Sequence, residues 1–138
     1  MDNAIGLFSV TPLWYFSSLL HPFSAGSLSA EPAAGALSLI AGIVLGSITR
    51  NSRLFYFLAS FLLSQAFVSF AGFYRGQFMT GGEFVLYPFL LIQGALILYL
   101  VYRLNGVLIP AAFLSFFSIT YAKFAFLVAA MSLSNTWL

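Results

Sequence analysis

Cysteine is absent from the chain and histidine occurs once, so much of the usual side-chain chemistry is missing at the outset. Without a thiol there is no disulfide, no thiolate nucleophile, no iron–sulfur ligation and no zinc–thiolate site. With His21 alone, bis-histidine haem ligation, a histidine metal cluster and a serine–histidine–aspartate triad all lack parts. Charge is equally scarce. Five basic and three acidic residues amount to 6% of 138 positions, whereas soluble domains carry about a quarter. The acids Asp2, Glu31 and Glu83 each fall at an expected helix start, where capping accounts for them. A carboxylate pair for acid–base catalysis is therefore not expected. Gly81-Gly82 is an isolated pair with no lysine after it, which removes the phosphate-cradling loop. No enzyme activity, cofactor, metal or nucleic-acid partner is expected. The first ten residues, MDNAIGLFSV, hold an acid and no lysine or arginine, so no cleavable signal segment is expected either.

What fills the chain is apolar. Hydrophobic residues make up 62% of it and the mean hydropathy is +1.02, values that belong to an integral membrane protein. The sequence predicts an all-α membrane protein, one integral domain over 1–138. Four transmembrane helices in short-looped hairpins are expected at 33–48, 54–74, 84–102 and 108–130. Ahead of them, 4–20 is an apolar run broken by Thr11-Pro12 and carrying Trp14 and Tyr15, aromatic residues of the interface. It reads as an interfacial helix, a re-entrant helix or a short fifth span. His21 to Ala30 is loop by composition, and Ser29-Ala30-Glu31-Pro32 reads as a helix start with proline in the first turn. Thr80 and Glu83 fit a capping box, and Asn105 or Gly106 a left-handed helix end.

Small residues carry the packing pattern. Ala34, Ser38, Gly42 and Gly46 recur every four residues, a ridge on which backbones can approach, and the stretch 33–48 is read as the surface around which the chain is organised. The ridge serves either packing within the chain or a homo-oligomer seam. In the last span Ala111, Ser115, Ser118, Ala122, Ala125, Ala129 and Ser132 alternate steps of four and three, a heptad seam of small side chains.

Orientation follows from the loops. The turns 50–53 and 103–106 hold Arg50, Arg53 and Arg103 and no acid, so both are expected in the cytoplasm. The location expected is a bacterial inner (plasma) membrane. Membrane lipid and a second copy or a partner membrane protein are the expected partners.

Lys123, inside the last apolar run, is the residue that raises a functional question. It either extends to the outer surface, toward Glu31 or Glu83, or lines a substrate or ion path with Tyr121, Gln65 and Gln93. Gln65 and Gln93 lie near mid-span, where they could bond each other. Two functions remain open: a non-enzymatic structural or accessory subunit of a membrane assembly, or a small homo-oligomeric transporter or channel. Convergence of these four polar residues discriminates between them.

Overall fold

The computed structural model describes residues 2–20, 27–77 and 82–134, whose regular elements are all helical. The helices are α1 (Asp2–Ser17), α2 (Ser27–Thr49), α3 (Phe57–Gln77), α4 (Leu86–Arg103) and α5 (Leu108–Ser134). Short 3-10 turns at Ser52–Tyr56, Gly82–Val85 and Asn105–Val107 lead into α3, α4 and α5. Among the described residues, four helices are long and apolar enough to cross a membrane, and α1 is shorter.

Local chemistry sets the helix ends. α2 begins at Ser27, upstream of the expected start, so Pro32 sits in its interior and leaves the Leu28 carbonyl without its usual donor. α1 runs unbroken through Thr11-Pro12, with the Thr11 hydroxyl donating back to the Leu7 carbonyl at 2.7 Å. After α2 the chain turns sharply at Arg50, which takes a positive φ of 51°. The Asn51 carboxamide then accepts the Arg53 amide at 3.0 Å and starts the next turn. The left-handed end expected at Asn105 or Gly106 is replaced by a 3-10 turn: the Leu104 amide bonds the Leu100 and Val101 carbonyls. His21 and Thr80, both assigned roles above, lie outside the described residues.

Opposed residues give the register. Glu31 meets Lys123, Gly35 meets Thr120 and Gly42 meets Leu114, so α2 runs antiparallel to α5. Phe61 lies against Phe117 and Gln65 against Tyr121, so α3 runs parallel to α5. α4 is antiparallel to α3, its Phe89 ring stacked on Phe67 at 3.9 Å. The centre of this bundle is α5 rather than the stretch 33–48. Its small-residue seam from Ala111 to Ser132 is buried throughout, and Leu114, Phe117, Tyr121 and Val128 are buried beside it. α2 lies on the flank, with Leu37, Ile40, Ile43, Val44 and Ile48 exposed.

α2 and α3 both pack on α5 and leave a cleft between themselves. α1 enters this cleft in the same direction as α2. Its Leu7 packs on Val68, Ala125 and Val128, and its Tyr15 reaches Thr120 and Phe117. Phe16 then faces Phe117, nine residues into α5, or about 14 Å along it at 1.5 Å per residue. α1 therefore ends about a third of the way along α5 from its N-terminal end and leaves the cleft open beside α2 from Leu39 onward.

Candidate functional site

Three polar groupings and one groove make up the candidate features. The first grouping is internal, where α1, α3 and α5 meet. The Thr120 hydroxyl donates to its own helix, at the Phe116 or Phe117 carbonyl (3.1 and 3.0 Å), which leaves its oxygen free to accept the Tyr15 hydroxyl at 2.7 Å. The Tyr15 and Tyr121 rings meet edge to face at 4.9 Å, and the Gln65 amide donates to the Tyr121 hydroxyl at 2.7 Å. All four side chains are buried. Gly35 makes the arrangement possible, because a methyl group there would overlap both the Tyr15 hydroxyl and Thr120 Oγ1.

The second grouping joins α3 and α4. Gln93 donates its amide to the Ser60 hydroxyl at 2.5 Å and to the Ser60 carbonyl at 3.2 Å. Gln65 and Gln93 thus take separate partners and do not bond each other. The third is Lys123 with Glu31. The Nζ group lies 2.6 and 2.9 Å from the two carboxylate oxygens, and the side chains are 57% and 54% exposed. Such exposure puts the pair on the outside of the bundle, away from buried Tyr121. The four residues proposed for a path are thereby divided: Tyr121 with Gln65, Gln93 with Ser60, and Lys123 with Glu31.

The interior also holds polar atoms with no protein partner. Gln65 Oε1, Ser69 Oγ, Gln93 Oε1 and Ser118 Oγ are buried and unbonded among the described residues. Gln65 and Ser69 lie one turn apart on α3, a spacing that puts both on one face.

Of the packing residues, Gly42 and Gly46 face Leu114 and Leu54, where an added methyl would come to 2.7 and 2.8 Å of a leucine side chain. Ala34 is exposed, and Ser38 bonds back to the Ala34 carbonyl at 2.9 Å. The buried face of α2 is instead Pro32, Ala33, Gly35, Ala36 and Gly42. Thr120 and Gly35 were not singled out from the sequence, and Tyr15 was read there as a residue of the interface. The interfacial preference of Trp and Tyr hid Tyr15: of that adjacent pair Trp14 is exposed and Tyr15 fully buried.

The groove is the part of the α2–α3 cleft that α1 leaves open. It encloses about 590 Å³ and opens to the side of the bundle. Its walls are apolar, from Leu39 to Gly46 on α2 and from Leu54 to Phe61 across, with Leu114 and Phe117 of α5 behind. Phe16, Phe61 and Phe117 close its deep end, while Ser47, Arg50, Asn51 and Ser52 line the other.

Comparison with known proteins finds no matching family model, no matching curated protein and no matching solved structure.

Proposed function

We propose that this is a non-enzymatic integral membrane protein, a structural or accessory subunit that acts by packing against other membrane components. In this reading α2–α5 cross a bacterial inner (plasma) membrane. The turns at 50–53 and 103–106 face the cytoplasm, and the long apolar outer faces of α2 and α4 meet lipid, a second copy or a partner membrane protein. One observation carries the reading: the four residues able to form a polar path occupy three separate places, each already partnered. A path needs groups that converge on a common space, and Lys123 points outward from the bundle while the Gln65 and Gln93 amide nitrogens and the Tyr121 hydroxyl are engaged in contacts between helices.

The transporter or channel reading retains one supporting observation, the buried oxygens of Gln65, Ser69, Gln93 and Ser118 that lack protein partners. Buried polar atoms without partners are uncommon and call for water, an ion or a ligand. The deciding experiment combines two measurements on the full chain. Mild extraction followed by crosslinking and mass spectrometry should capture a constant neighbour, either another protein or a second copy. Proteoliposomes of the purified chain should be no leakier to protons, alkali cations and small anions than empty vesicles. Saturable flux that Gln65→Leu removes without unfolding the protein would overturn the accessory reading. Orientation is checked with Asn105→Cys, since no native thiol competes: impermeant maleimide should label it only after the cytoplasmic face is opened.

A further inference from the structure

The geometry points to the open part of the α2–α3 cleft as a seat for one anionic phospholipid of the cytoplasmic leaflet, an acyl chain in the groove and the phosphate at Arg50 and Arg53. The inference rests on the membrane reading above and adds to it a ligand. Length is the first argument. From Leu39 to its end at Thr49, α2 runs ten residue steps along the groove, with Arg50 just beyond, about 15 Å at 1.5 Å per residue, close to one leaflet's half of a roughly 30 Å hydrocarbon core. The groove stops where such a chain stops, because the end of α1 brings Phe16 against Phe61 and Phe117. Its volume of about 590 Å³ lies inside the roughly 300–1,000 Å³ range of small-molecule sites.

Charge is the second argument, and it selects the headgroup. The groove's polar end is made by Arg50, Asn51, Ser52 and Ser47, with Arg53 one turn on. The three acids of the chain lie toward the opposite end of the bundle: Asp2 begins α1, Glu31 is in the second turn of α2 and Glu83 is in the 3-10 turn before α4. Among the described residues, therefore, no carboxylate competes for these guanidinium groups. Arginine's planar fork suits a phosphate, and the cytoplasmic leaflet supplies the anionic lipids that basic residues near the surface attract. A transmembrane helix from a second copy would instead need an apolar surface along the whole cleft, and α1 already occupies part of it.

The test uses the full chain in vesicles of phosphatidylglycerol and phosphatidylcholine in equal parts, extracted in mild detergent and weighed by native mass spectrometry. One phosphatidylglycerol per chain should survive activation that strips the rest, preferred over phosphatidylcholine by about 25-fold, from roughly fivefold per arginine. Arg50→Asn with Arg53→Gln should abolish the preference, asparagine being chosen because it accepts a left-handed backbone. Ser47→Trp and, separately, Leu58→Trp should fill the groove and lose both lipids, whereas Ile40→Trp on the outer face of α2 should lose neither. Circular dichroism and the thermal midpoint identify variants that have unfolded, and two groove-filling positions keep the test open if one fails. Retention of no lipid by the wild type, equal retention by the charge variant, or a disulfide-linked dimer formed quantitatively by Ser47→Cys would overturn the proposal, the last in favour of a second copy. The orientation reading is judged separately by labelling at Asn105→Cys. A reversed chain would still hold the lipid, and a transporting chain would too.

Discussion

Thr120 shows how much depends on which side of a buried hydrogen bond is removed. With Tyr15→Phe, Thr120 keeps its carbonyl acceptors on α5 and nothing is left unbonded, so the loss should be about 1 kcal/mol or less. With Thr120→Val the Tyr15 hydroxyl stays buried without its partner, and the cost should rise to about 1–3 kcal/mol. Thermal unfolding in detergent measures both; equal losses would mean that the tyrosine hydroxyl finds another partner. The same logic applies on the outer surface. Lys123→Met alone leaves the Glu31 carboxylate unpaired beside an apolar helix, whereas Lys123→Met with Glu31→Gln removes both charges at once. The double variant should be more stable than the single one, because removing both members of an ion pair costs less than stranding one. Lys123→Arg should fold and function, since arginine keeps the charge and the reach. Of these residues the sequence made Lys123 conspicuous and named Glu31 as one of two possible partners. Tyr15 was hidden, because burying a tyrosine depends on a hydroxyl acceptor 105 positions away.

At the level of the helix, periodicity explains why one small-residue pattern is buried along its whole length and the other only in part. A strict step of four overshoots a 3.6-residue turn by about 40°, so three such steps carry a ridge about 120° around the helix. Gly42 and Gly46 lie on the face toward α5 and Leu54, while Ala34 has rotated out of it. The face actually packed, through Pro32, Gly35, Leu39, Gly42 and Gly46, alternates steps of three and four. The α5 seam has that alternation already, and all seven of its residues are buried. Gly35→Ala should accordingly be the most damaging alanine substitution on α2, at about 1–3 kcal/mol of overpacking, since its neighbours are two hydrogen-bonded hydroxyls rather than leucine tips that can turn away. Gly42→Ala and Gly46→Ala should cost less, and Ala34→Leu should stay within about 0.5 kcal/mol. Chemical or thermal unfolding ranks the four, and a damaging Ala34→Leu would return that position to an interface between chains.

For the whole molecule the open question in the sequence was whether the first helix lies on the membrane, enters it or crosses it, and no periodicity could decide, because the answer depends on the space left between α2 and α3. That space runs the length of the bundle, and α1, with 16 residues, covers about 24 Å of axis at 1.5 Å per residue. Its Thr11 and Tyr15 are buried against protein. Its end lies beside Phe117, nine residues into the 27 of α5, short of the far end of the bundle. A thiol at the exposed end position, Ser17→Cys, distinguishes the three arrangements in a membrane. A surface helix would leave it reactive to an impermeant maleimide from outside, and a full crossing would make it reactive from the cytoplasm. In mid-bilayer it is reached from neither side and stays protonated, hence poorly nucleophilic. The expected result is no labelling of intact or opened vesicles, full labelling once the protein is unfolded in detergent, and ordinary labelling of Asn105→Cys from the cytoplasmic side in the same preparation.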